Sequence, residues 1–392
     1  MKDDDEDIIT AKITNRIAEV DAAAWDACAG HDNPFVSHAW LKACEDSESV
    51  SPSSGWGASH LLIEDADGSL SACAPIYLKS HSRGEYIFDY GWADALERAG
   101  GDYYPKLLVA SPFTPATGPR LLTRPGPERA KARQTLITAL VSTVQHYGVS
   151  GLHVNFCEQD EWNDLGKAGF LQRTDQQFHW FNDGYETFED FLDQLASRKR
   201  KTIRKERREA LANDIEIEVL KGGEITEGHW DAFYQFYTDT GSRKWGAPYF
   251  NRLFFSLIGA SMADKIVLFM CKRGGRYIAG AINFLSTDTL YGRYWGCVED
   301  HRFLHFETCY YQAIDYAIQH GLARVEAGAQ GPHKIARGYQ PVTIYSAHWI
   351  EHPGFRRAVA DYLEHERREV SAGIDYLADL GPFRKGEKQQ LD

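Results

Sequence analysis

Apolar and polar positions run through the same order twice along this chain. A strand-like apolar stretch at 59–64 has a counterpart at 265–271, and each is followed by a turn, Asp67-Gly68 and Gly274-Gly275. A second apolar stretch follows, 72–78 in one copy and 278–285 in the other, and a third strand pattern begins at Tyr86 and at Tyr291. Ahead of each hairpin, Trp25-Asp26-Ala27 and Trp230-Asp231-Ala232 open amphipathic helical patterns at an offset of 205. Later, Gln145-His146-Tyr147-Gly148 and Gln319-His320-Gly321 close helices expected over about 128–147 and 305–320, each followed by an apolar strand. The offset shortens there because the first copy carries an extra proline-rich stretch at 105–127. Each copy reads helix, helix, strand, turn, strand, strand, helix, strand, which predicts one α/β unit built twice.

Between the copies, 187–212 reads as one long helix. Thr187 is a candidate cap, Glu189 and Asp190 suit its first turn, and Phe188, Phe191, Leu192 and Leu195 form an apolar stripe. Its second half is strongly basic: eight of the eleven residues at 198–208 are lysine or arginine and one is acidic. A further helix is expected at 353–370. The division is therefore a first domain over 12–182, a connecting helix over 183–212, a second domain over 213–372 and a polar tail over 373–392.

The whole chain carries a formal net charge of −13, so coating of duplex DNA is excluded and the basic run stands out as a local anion-directed feature. No apolar run is long enough for a membrane span. The acidic start, Met1-Lys2-Asp3-Asp4-Asp5-Glu6-Asp7, lacks the features of a signal peptide. Seven scattered cysteines without a CxxC pair read as reduced thiols, which points to the cytoplasm.

The element order is that of the GNAT acyltransferase fold, and two copies joined by a charged helix resemble the FemAB-type aminoacyltransferases and their relatives. The resemblance is carried by Leu290-Tyr291-Gly292-Arg293-Tyr294-Trp295-Gly296, by Leu304-His305-Phe306-Glu307-Thr308-Cys309-Tyr310-Tyr311-Gln312, and by the block from Glu326 to Tyr339. Asn33-Pro34-Phe35 and Pro112-Phe113-Thr114-Pro115-Ala116-Thr117-Gly118-Pro119-Arg120 agree in the first copy. It spans roughly 12–370 and is similar to FemAB-related proteins described by peptidoglycan biosynthesis or recognition. It implies two tandem GNAT domains and group transfer to an amine.

The glycine-rich stretch after the last strand of the second copy is the leading site candidate. Gly328, Gly331 and Gly338 permit close approach to a ligand, and Lys334, Arg337 and His333 supply two cations and a titratable ring. The resemblance places a reactive-centre lysine at Lys334. Glu326 and Glu307 are candidate bases; Glu307 also suits a helix start electrostatically. The expected catalytic set is Lys334, Glu326 and His333, with Arg293, Trp295, Glu307, Gln330 and Arg337 on the substrate. Lys334 and Arg337 are expected to need an anion between them. His301, His305 and His333 lack a completing ligand, so no metal is expected.

Arg200 and Arg204 share a helix face, and Gly118 with Arg120 resembles a donor-pyrophosphate loop; these four are the expected donor contacts. The donor is read as acyl-CoA or an acyl carrier, a co-substrate and not a tightly bound cofactor, with aminoacyl-tRNA the alternative. An amine of a small molecule or peptide is the expected acceptor. An acyl carrier protein or tRNA is the macromolecular partner expected on the basic helix. A catalytically silent binding module for a cell-wall precursor is the reading from another class.

Overall fold

A computed structural model describes residues 10–244, 248–328 and 331–384. The chain divides into two units. One comprises the residues up to Asp175 with Ile344–Val370; the other comprises Gln176–Thr343 with the residues from Ser371 on. The chain passes from one to the other within two long strands, Leu171–Phe181 and Gln340–Ile350. This differs from the sequential division expected from the sequence. The reason lies in sheet pairing: Tyr345 to Ile350 pair antiparallel with Gly151–Cys157, so a late strand completes the early unit.

In the first unit, Thr10–Thr14 pairs antiparallel with His60–Glu64. A hairpin then runs in one register from Trp56↔Lys79 to Leu61↔Ala74. Ile76–Lys79 pairs antiparallel with Lys106–Val109, which pairs parallel with Gly151–Cys157. In the second unit, Ile215–Lys221, Ile266–Arg273, Arg276–Leu285 and Thr289–Cys297 form an antiparallel run, and Thr289–Cys297 then pairs parallel with Arg324–Glu326. The strand order is the same in both, with one parallel pair in the fourth and fifth places. In each unit a helix precedes the fifth strand: Arg129–Tyr147 in one, Gln312–Gln319 in the other. The fold is α/β, two tandem GNAT-like units.

Local chemistry explains the hairpin of the second unit. Arg273 and Arg276 face each other, so Gly274 and Gly275 alone make the turn, at φ 57° and 74°. A two-residue turn that matches strand twist needs positive φ at both positions, which glycine adopts without Cβ strain.

Two expectations are corrected here. Tyr86 starts no strand; it sits at φ 60° in a loop, and the strand arrives at Lys106–Val109, after the helix Tyr90–Arg98. The loop diverges because Glu85 and Asp89 turn inward to the Lys106 ammonium. The connecting helix is two helices, Phe188–Gln194 and Ser197–Ala210. They break where Leu195 takes an extended conformation and bridges to Phe383. Phe188, Phe191, Leu192 and Leu195 are buried with Trp180, Tyr311 and Ile314, as the apolar stripe requires. The last helix runs further than expected, Pro353–Asp379. Among the described residues no helix is long and apolar enough to cross a membrane.

Candidate functional site

The site of the second unit is set by how its parallel strands part. Thr289, Leu290 and Tyr291 pair with Arg324, Val325 and Glu326, and there the shorter strand ends. The longer strand continues to Cys297 with a bulge: Gly292 faces Asn283 and Tyr294 faces Ile282, which leaves Arg293 as the extra residue. Beyond Glu326 the chain passes Gly328 and enters the 3₁₀ turn Pro332–Arg337. Gly338 closes that turn at φ 93°, and a Cβ there would lie 2.5 Å from the Phe191 ring. This glycine is therefore required twice, by conformation and by space.

Lys334 lies on that turn and is 2% exposed. Its Nζ donates to the Gly328 carbonyl at 2.9 Å. Among the described residues no carboxylate lies within ion-pair distance. Burial pulls the amine down to about 7; nearby Cys309 opposes the shift and the Arg293 cation adds to it. An ordinary lysine is protonated at neutral pH, whereas this one is poised to gain or lose its proton there.

Glu326 ends the short strand, buried, 3.8 Å from His179 Nε2 and 3.5 Å from Arg324 Nε. Burial holds His179 at about 3, helped by the Arg324 and Lys334 cations, so the ring is neutral. His179 lies in a strand that reads from sequence only as alternating residues, and its partner is 147 positions away. Sequence reasoning had no signal for it.

The other expected residues are placed as follows. His333 is exposed, 3.0 Å from the Tyr310 hydroxyl, and burial together with Arg337 and Lys334 lowers its pKa. Arg337 pairs with both Glu206 oxygens at 3.0 and 2.9 Å, and its guanidinium stands 3.5 Å over the Phe306 ring. The pairing of Lys334 and Arg337 through a shared anion is thus not needed: the protein supplies Glu206 to one and a carbonyl to the other. Glu307 is fully buried in the π-helical turn Glu307–Tyr311, held by Arg207 and by Gln312 at 2.8 Å. This corrects its assignment to substrate, because its oxygens are occupied by side chains of the unit. Trp295 is half-buried, meets the His305 ring at 5.5 Å, and lines a cavity of about 480 Å³ with Glu299, Asp300, His301, Phe303 and Phe306. Gln330 lies outside the described residues.

The expected donor contacts fare differently from the glycine turn. Arg200 and Arg204 pair with Asp193 and Glu189 on the preceding helix. Arg120 is 1% exposed, and its guanidinium donates to the carbonyls of Asn155, Gly118, Pro119 and Ala116. A Cβ on Gly118 would lie 2.0 Å from Asn33 Nδ2. The 112–120 segment is therefore closed against a pyrophosphate by its own side chains.

The first unit holds a buried ionic cluster that the sequence does not announce. Lys106 Nζ meets Ser82 Oγ at 2.9 Å, Glu85 at 2.8 Å and Asp89. Lys79 lies 3.6 Å over the Trp56 ring and 3.8 Å from Glu85. Burial lowers the Lys79 amine to about 7, against the pull of Glu85.

A family model described as peptidoglycan biosynthesis/recognition, FemAB_like, matches residues 16–385. Among curated proteins there is no significant sequence match. The crystal structure of FemX is similar at TM-score 0.54 and 12% identity, covering 89% of this chain and 100% of that one. The C-terminal domain of a putative lysylphosphatidylglycerol synthetase from Agrobacterium fabrum is similar at TM-score 0.53 and 8% identity, covering 88% and 96%. At these identities the likeness concerns the fold.

Proposed function

The chain belongs to the FemAB-like family, and we propose that it transfers an acyl or aminoacyl group from an activated donor to an amine, with a peptidoglycan-related peptide as the acceptor class. The carrying observation is Lys334: a buried amine near pKa 7, without a carboxylate among the described residues, at the carboxyl end of two parting parallel strands. Attack of an amine on the donor's carbonyl forms a C–N bond and leaves a proton on that nitrogen. Neutral Lys334 takes this proton, and as an ammonium returns it to the oxygen or sulfur that leaves. A group whose pKa matches the working pH serves both steps best. The Arg293 cation, on the bulge and near enough to act on the Lys334 amine, favours the negative charge that develops on the carbonyl oxygen. Glu326 and neutral His179 form a polar wall that orients the incoming amine.

Of the two donors, acyl-CoA and aminoacyl-tRNA, one observation favours the second. A pyrophosphate bound before a helix would meet Glu299 and Asp300 in the second unit and the closed 112–120 segment in the first.

The test is Lys334→Met, assayed with acyl-CoA and with aminoacyl-tRNA against a peptide amine. Turnover is expected to fall by ~10²–10⁴. In the parent, kcat should rise with pH through about 7 as Lys334 loses its proton, and the variant should lack that limb. Parental turnover in the variant would overturn the assignment.

A further inference from the structure

We propose that Arg198, Lys199 and Thr202 of the basic helix, with Arg337 of the glycine-flanked turn, form a pocket for a phosphate group. These residues line a cavity of about 340 Å³ in the second unit, together with Glu206 and Tyr311. Three features set this place apart from the rest of the basic run.

The first is which cations have partners. Arg200, Arg204, Lys205 and Arg207 meet Asp193, Glu189, Glu209 and Glu307. Among the described residues no carboxylate lies within ion-pair distance of Arg198 or Lys199. Lys201 and Arg208 are also without one, but they do not line this cavity. The second feature is Arg337. It is more than nine-tenths buried, two of its nitrogens are taken by Glu206 and the His333 carbonyl, and its Nε is buried with no partner. A donor left so is costly unless a ligand accepts from it. The third is the helix start: Ala196 precedes Ser197–Ala210 and offers no side-chain cap. Lys199 N–H already donates to the Ala196 carbonyl at 2.8 Å, which leaves the Ser197 and Arg198 N–H groups as the uncapped first-turn donors beside the Arg198 and Lys199 side chains.

Three cations against the one carboxylate of Glu206 leave the pocket net positive. Guanidinium forks and an ammonium suit tetrahedral phosphate oxygens. That this phosphate belongs to the donor rests on the transferase reading; the pocket itself does not.

Inorganic pyrophosphate titrated calorimetrically into the full chain is the test. The parent should bind it, and Arg198→Ala/Lys199→Ala should weaken binding about tenfold or more. Arg198 is exposed and Lys199 half-buried, and neither belongs to the apolar stripe that packs the helix, so folding is kept. Arg200→Ala/Arg204→Ala should bind within about twofold of the parent, since those charges are already paired. Absence of binding in the parent, or equal loss in both double variants, would overturn the pocket. Lys334→Met should bind pyrophosphate as the parent does while losing turnover, which separates a failed pocket from a failed active site. Competition then identifies the source: displacement by CoA points to a nucleotide-linked donor, displacement by an acceptor-stem RNA to aminoacyl-tRNA. Displacement by neither overturns the link to the donor.

Discussion

Lys106 in the first unit and Lys334 in the second are equally hidden from water, yet their surroundings drive them to opposite states. Lys106 reaches two buried carboxylates and a serine hydroxyl. Burial alone would lower its pKa, but Glu85 and Asp89 overcome that and raise it. Lys334 has a single carbonyl, and burial takes it down to about 7. The same contrast holds for the ends of the parallel strands. In the first unit the Arg120 guanidinium closes onto four carbonyls; in the second the strands part beside Lys334. In the first unit Lys106 and Arg120 are held by partners, and Lys79, which burial also takes to about 7, still stands 3.8 Å from the Glu85 carboxylate; in the second, Lys334 reaches about 7 with only a carbonyl beside it.

The largest effect should come from breaking the paired lysine. Lys106→Met leaves Glu85 and Asp89 buried without their shared cation, and removing one partner of a buried ion set costs about 3–5 kcal/mol. Thermal unfolding of the full chain should show a clear drop. A melting temperature equal to the parent's would mean that the two lysines do not differ as argued.

Arg120→Leu comes next. It leaves four buried carbonyls with lost donors, and an orphaned buried group costs roughly 1–3 kcal/mol; partial relaxation keeps the sum nearer about 2–4. Its affinity for pyrophosphate should stay at the parental value. A variant that folds as stably as the parent but loses affinity would restore the 112–120 segment as the donor site.

Much of this was readable in the chain, and the unreadable part has a physical cause. The repeat, the hairpin turn at Gly274-Gly275 and the apolar stripe at Phe188, Phe191 and Leu192 depend on short-range pattern, so periodicity reveals them. Lys334 stood out as a candidate because glycines surround it and the family resemblance marks it; its burial did not. What pattern could not give is partnership across the fold. Arg337 finds Glu206 over 131 positions, and Arg207 finds Glu307 over 100. These pairings decide which cations are neutralised, and they moved the anion-directed charge from Arg200 and Arg204 to Arg198 and Lys199. The late strand at 345–350 is a similar case, since nothing local says that it pairs with 151–157.

A smaller effect, but a sharper one for Lys334, is the pH dependence of its stability cost. Its pKa is about 7 folded and near 10.4 unfolded, so the unfolded chain binds more protons between these values. The parent should therefore gain stability relative to Lys334→Met as pH rises from about 7 to about 10. Below about pH 7 the lysine is charged in both states, the full cost of a buried cation applies, and the methionine variant should be the more stable. Urea unfolding of both proteins at pH 6 and pH 9 reads this directly. A stability difference that does not change with pH would show that Lys334 is not the group titrating near neutrality.

The smallest effect belongs to Arg200 and Arg204. Their partners, Asp193 and Glu189, are exposed carboxylates on the neighbouring helix. Exposed ion pairs contribute only about 0–1 kcal/mol and are screened by salt. Arg200→Gln/Arg204→Gln should shift the urea midpoint by little, and added salt should erase what shift remains. If these residues instead held a donor phosphate, neutralising them would weaken pyrophosphate binding at low salt as much as Arg198→Ala/Lys199→Ala does. The two double variants run side by side thus decide whether the positive charge that matters is the run as a whole or the two cations that the fold leaves beside Arg337.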